Sequence, residues 1–83
     1  MSLHVDWTDE AIRDLKDLPD WRLAEAVTNA VRRYAAEGIG FVLHVPRVDG
    51  PDEYRLLIPR VRTYVLIRRG PTALYVEGVI YRA

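Results

Sequence analysis

At 83 residues, 49% hydrophobic and 29% charged, the chain has room for one domain (1–83) and the make-up of a folded globular protein rather than a disordered one. Zero cysteines exclude a disulfide framework and a thiolate zinc site, and two histidines, His4 and His44, are too few to make a metal centre alone. No apolar run approaches the ~18 residues of a bilayer span, and the N-terminus lacks the apolar core of a signal peptide. The expectation is a cytoplasmic protein with no membrane association, no metal and no cofactor.

A formal net charge of zero hides a split along the chain. Residues 1–30 carry seven carboxylates against Arg13, Lys16 and Arg22, a net of −4. Residues 54–83 carry Arg55, Arg60, Arg62, Arg68, Arg69 and Arg82 against Glu77 alone, a net of +5. Such asymmetry predicts an anion-facing basic segment with an acidic back, or internal charge complementarity.

Leu3–Trp7 alternates Leu3, Val5 and Trp7 with His4 and Asp6, the period of a half-buried strand. Thr8 is a good N-cap, and Asp9 and Glu10 complement the dipole of a first turn. The first helix is predicted over Asp9–Leu18, burying Ala11, Ile12, Leu15 and Leu18, with Pro19 ending it. Asp20 caps a second helix to about Glu37, with Leu23, Val27, Ala30, Val31 and Tyr34 on its inner face and Gly38 as its C-terminal cap.

Gly38–Asp52 reads as a partly irregular loop in which Phe41–Val45 forms an extra strand or none. Asp49-Gly50-Pro51-Asp52 is a turn into a three-stranded meander predicted at Tyr54–Ile58, Val61–Arg69 and Thr72–Arg82. Strand alternation places Val61, Thr63, Val65 and Ile67 toward the helices and Arg62, Tyr64, Leu66 and Arg68 on an open face. On the last strand Tyr75, Glu77, Val79 and Tyr81 alternate with Leu74, Val76, Gly78 and Ile80, and Gly78 marks a candidate bulge. The predicted fold is α+β, in the order β-α-α-β-β-β, with a helical hairpin packed on one face of a small, mainly antiparallel sheet.

This order and these motifs resemble the RelE/ParE superfamily of toxins from bacterial type II toxin–antitoxin modules. The resemblance covers most of the chain. It rests on Val5-Asp6-Trp7-Thr8 leading into a hairpin with Ala11, Leu15 and Leu18, on Tyr54-Arg55-Leu56, on Arg62 followed by Thr63-Tyr64-Val65, and on a last strand ending in Arg82. It implies a cognate antitoxin as partner and one of two targets. RelE-like members cleave mRNA on the ribosome, whereas ParE-like members bind DNA gyrase and are not nucleases. A degenerate member would pair only with its antitoxin, or with itself as a homodimer.

For a metal-independent ribonuclease, the resemblance makes Arg62, Arg82 and Arg55 the catalytic cations and Tyr64, Tyr81 and Arg60 the substrate-binding set. The 2′-hydroxyl attacks the adjacent phosphate, so the site needs cations for the phosphorane-like transition state, a base and an acid. Leu57 stands where RelE-like nucleases carry a second basic residue, no tyrosine follows Arg82, and Ile80 stands where other members have histidine. No general base is evident, unless the loop folds His44 or Glu53 over the sheet. The alternative reading of Arg62 is an ion pair with Glu77 or Glu53. Arg68-Arg69 reads as a solvated hairpin end, and Tyr34, Tyr75, Trp7 and Trp21 as core or interface aromatics.

Overall fold

The computed structural model describes residues 2–82. In chain order these form β1 (His4–Trp7), α1 (Asp9–Lys16), α2 (Trp21–Glu37), β2 (Phe41–Val45), β3 (Glu53–Ile58), β4 (Thr63–Arg69) and β5 (Ala73–Tyr81). One five-stranded sheet runs β1-β5-β4-β3-β2. Its strands pair antiparallel except β1, which lies parallel to β5. The predicted α+β fold is therefore present, with Phe41–Val45 as a full strand at the sheet edge.

Local chemistry sets the helix limits. Thr8 caps α1, its Oγ1 accepting from the Ala11 amide at 3.1 Å, and Asp9 and Glu10 occupy the first turn. The helix ends at Lys16, two residues before the predicted Leu18, because Leu18 precedes Pro19 and is biased away from helical geometry. Asp20 caps α2 through Oδ1 and the Arg22 amide at 2.9 Å. At its other end Gly38 adopts a left-handed φ of 71°, a conformation glycine reaches without a Cβ clash, and its amide donates to the Tyr34 carbonyl.

Both helices lie on one face of the sheet, α1 against β5 and α2 against β1 and β3. The core between them contains Ala11, Val27, Val31 and Ala35 from the helices. Leu56, Ile58, Val65, Ile67, Leu74, Val76 and Val79 supply the sheet side. Gly40 lets α2 and β3 meet: a Cβ there would lie 2.9 Å from Leu56 Cδ1. Ile12 lies outside this core, 37% exposed rather than buried as the helical spacing predicts, since an eight-residue α1 packs mainly on β5.

Cross-strand partners fix which residues share a face. On the helix side run the rows Val42–Leu56–Val65–Val79 and Ile58–Thr63–Tyr81. On the open side run Phe41–Leu57–Tyr64–Ile80 and Leu43–Arg55–Leu66–Gly78. No helix among the described residues is long and apolar enough to cross a membrane.

Candidate functional site

The chain leaves β3 through Pro59 and Arg60. Proline fixes its own φ near −65°, and Arg60 takes a φ of 71°, the pattern of a type II turn in which glycine is usual at the second position. A non-glycine residue there stores strain of about 1–2 kcal/mol. The turn occupies positions predicted as strand, so Val61 is 40% exposed at the rim instead of facing the core beside Val65 and Ile67. It delivers Arg62 to the start of β4. Opposite, the Arg82 amide donates to the Arg62 carbonyl at 2.8 Å, joining the two arginines at the same end of the sheet.

Around them lies an open cavity of about 560 Å³. Its walls include Phe41, Leu57, Val61, Arg62, Tyr64 and Arg82. Two cations thus stand beside an apolar and aromatic floor. Among the described residues neither Arg62 nor Arg82 pairs with a carboxylate. The alternative in which Arg62 binds Glu77 or Glu53 is not what forms: Glu77 engages Arg68 at 3.5 Å, and Glu53 engages Arg55 at 2.5 Å and Arg47 at 3.4 Å.

Arg55 lies differently from its expected catalytic place. Besides Glu53, its guanidinium stacks over the Tyr64 ring at 4.6 Å. The hydrogen bond to Glu53 raises its pKa further above the ordinary arginine value, against some desolvation, so its charge is held and already compensated. It therefore supports Tyr64 from within the sheet, while Tyr64 itself lines the cavity. Arg68 is a solvated hairpin end, its side chain 60% exposed, that also reaches Glu77 at 3.5 Å and lies over Tyr75 at 4.3 Å.

Two of the expected substrate-binding residues fall elsewhere. Tyr81 shares the row of Ile58 and Thr63 on the helix side, opposite to Tyr64. Arg60 sits at the tip of the turn, outside the walls of the cavity. No candidate base reaches the arginines either. His44 pairs with Tyr54 on β3, four residues and about 13 Å of strand from Ile58, and its row lies on the helix side. There its Nε2 is 2.7 Å from Asp52 Oδ2 and its ring stacks on Tyr54 at 4.7 Å. That hydrogen bond, then the one from the Arg47 amide, lowers the Asp52 pKa below its ordinary 3.8. No histidine or carboxylate lines the Arg62 cavity among the described residues.

A larger cavity, about 850 Å³, opens at the far end of the sheet among Tyr34, Arg47, Tyr54, Arg68 and Glu77. Size does not make it the better anion site: three carboxylates, Asp52, Glu53 and Glu77, line it beside Arg47, Arg68 and Arg69, and the first two of these arginines are already paired. Of the aromatics expected in core or interface, Trp21 is 68% exposed, whereas Trp7, Tyr34 and Tyr75 are half-buried. Sequence reading missed Phe41 and Leu57 as cavity walls, since their partnership depends on the β2–β3 register.

A chain of the toxin–antitoxin complex RelBE2 from Mycobacterium tuberculosis matches this architecture with a TM-score of 0.72. The match covers 99% of this chain and 100% of that one, at 23% sequence identity. The chain has a RelE-like fold. No protein-family model and no curated protein sequence matches it. On this frame Arg62 and Arg82 stand together at the end of the meander, while Arg55 pairs with Glu53.

Proposed function

We propose that this chain is the toxin of a toxin–antitoxin pair and that the Arg62–Arg82 cavity binds RNA, inhibiting translation by acting on mRNA at the ribosome. The observation that carries this reading is the pair of uncompensated arginines beside Tyr64, Phe41 and Leu57. A phosphate matches two cations, and a base matches an aromatic and apolar floor. The fold shared with a chain of a toxin–antitoxin complex supports the toxin role and an antitoxin partner.

In cleavage, the ribose 2′-hydroxyl would attack phosphorus and displace the 5′-oxygen. Arg62 and Arg82 would stabilise the additional negative charge on the transferring phosphoryl group, a contribution of about 10²–10³ in rate for one such donor. With no histidine or carboxylate in the cavity walls among the described residues, the protein's part is charge stabilisation and orientation. Proton removal from the 2′-hydroxyl then falls to solvent or to groups supplied by the target, and protonation of the departing 5′-oxygen to these or to the Tyr64 phenol. General acid–base catalysis adds about 10²–10⁴ where it operates, so this site depends heavily on its two cations.

The same lack of a histidine or carboxylate favours a second reading, in which the toxin binds a protein target such as DNA gyrase without chemistry. Induced expression with labelled precursors separates them. The RNA reading expects translation to stop first and the arrest to vanish in Arg62→Ala. DNA synthesis stopping first would overturn it in favour of the gyrase-type target, and absence of arrest from soluble protein would leave an antitoxin-binding role alone.

A further inference from the structure

Arg82 shares a face with Arg62 because of a one-residue insertion in β5. Leu74, Tyr75 and Val76 pair with Arg69, Arg68 and Ile67, whereas Gly78, Val79, Ile80 and Tyr81 pair with Leu66, Val65, Tyr64 and Thr63. Glu77 is left without an opposite residue, which makes it a β-bulge. Burial follows the shift: Val76 and Val79 are both buried although three positions apart, where a regular strand would bury residues two apart. Had the first register continued, Tyr81 would oppose Arg62 and Arg82 would turn toward the helix side.

α1 holds this bulge. β1 ends at Trp7, so beyond Val76 the β1-facing edge of β5 has no strand neighbour. The segment entering α1 and the helix itself take that place. The Thr8 amide donates to the Val76 carbonyl at 3.1 Å, and Thr8 Oγ1 reaches the Glu77 carbonyl at 3.4 Å. One turn on, Asp14 Oδ2 accepts from the Val79 amide at 3.1 Å. Asp14 is half-buried, and this bond spans 65 residues of sequence.

We infer that Asp14 is the positioning residue of the anion site: by holding the Val79 amide it fixes the bulge that turns Arg82 onto the face of Arg62. The inference rests on the RNA-binding role proposed for that cavity. Asp14 touches no ligand and acts only through the β5 backbone.

A binding cycle with a short single-stranded RNA, run as a salt titration on Asp14→Ala, Arg82→Ala and their combination, tests it. Each phosphate contact on a single strand contributes about 0.7 to the slope of log affinity against log salt. Arg82→Ala is expected to lower the slope by that amount, Asp14→Ala to lower it equally, and the double variant to lower it no further. Asp14→Asn, which keeps an acceptor, should restore the wild-type slope. Amide exchange at Val79 should accelerate in Asp14→Ala and remain slow in Asp14→Asn. Should Asp14→Ala not fold, Asp14→Ser, too short to reach Val79, replaces it. Additive losses from Asp14 and Arg82, or a protected Val79 amide without Asp14, would overturn the inference. Loss of neither slope nor affinity in Arg82→Ala would instead overturn the RNA site itself, and Val79 exchange would then still report whether Asp14 holds the bulge.

Discussion

Four arginines of this sheet divide into two pairs placed in opposite ways. Arg55 and Arg68 lie within strands, each over a tyrosine ring and each held by a glutamate. Arg62 and Arg82 lie just outside the strand ends and have no carboxylate partner among the described residues. An arginine inside a sheet has neighbours fixed by register on both sides, so residues such as Glu53, two positions away on the same strand face, can compensate it. At the rim the register ends, and a cation there keeps its charge for whatever docks. For these four, position in the sheet separates the compensated arginines from the uncompensated ones, and Arg69, the last residue of β4, falls with the uncompensated cations at a strand end.

The sharpest way to break this contrast is to delete the free pair. Arg62→Ala with Arg82→Ala should reduce the salt slope for single-stranded RNA by about 0.7 for each cation. Unfolding stability should stay within about 0.5 kcal/mol of wild type, as for surface changes away from packed features, which denaturant titration will report. A reverse change comes next. Glu53→Gln should release Arg55 and Arg47, strengthening RNA binding and steepening its salt dependence beyond wild type.

Arg55→Ala should do the opposite of Arg62→Ala. It removes the guanidinium from the Tyr64 ring and from Glu53, so thermal stability should fall while the salt slope holds. Thr63 gives a smaller test of the same end of the sheet. It is 4% exposed, and its hydroxyl has no hydrogen-bond partner among the described residues. Thr63→Val should be neutral or stabilising by about 1 kcal/mol, measured by chemical unfolding, because it replaces an orphaned buried polar group with a methyl.

The smallest effect belongs to the β2–β3 loop. Asp52 has a folded pKa below its ordinary 3.8, lowered by His44 and then by the Arg47 amide. Its contribution is therefore complete above that ordinary value and is lost as pH falls through the lowered folded value. Amide exchange at Arg47 should accelerate across that acid window in wild type and show no such window in Asp52→Asn.

Much of the fold was legible because its signals are local. Thr8, Asp20 and Gly38 mark helix ends through their own side chains or backbone freedom, and Val65 and Ile67 follow simple alternation. Phe41–Val45 was ambiguous because a short apolar run between glycines and a proline becomes a strand only when β3 accepts it. A bulge at Gly78 that re-aims the final residues was legible from the glycine, but what holds it was not. Its hold comes from Thr8 and Asp14, more than sixty residues away, and period-two counting fails once a residue is inserted. With the residue inserted, Tyr81 falls in the row of Thr63 on the helix side and Arg82 on the open side. Arg62 and Arg82 were legible through family resemblance, whereas the pairing of Arg55 with Glu53 needed the observed side-chain geometry.

The division between free and compensated arginines is tested most directly by the affinity of one single-stranded RNA across a salt series, for wild type, Arg62→Ala, Arg82→Ala and Arg55→Ala. The slope should fall by about 0.7 in each of the first two variants and remain at the wild-type value in Arg55→Ala. Equal loss from Arg55→Ala, or no loss from Arg62→Ala and Arg82→Ala, would contradict it.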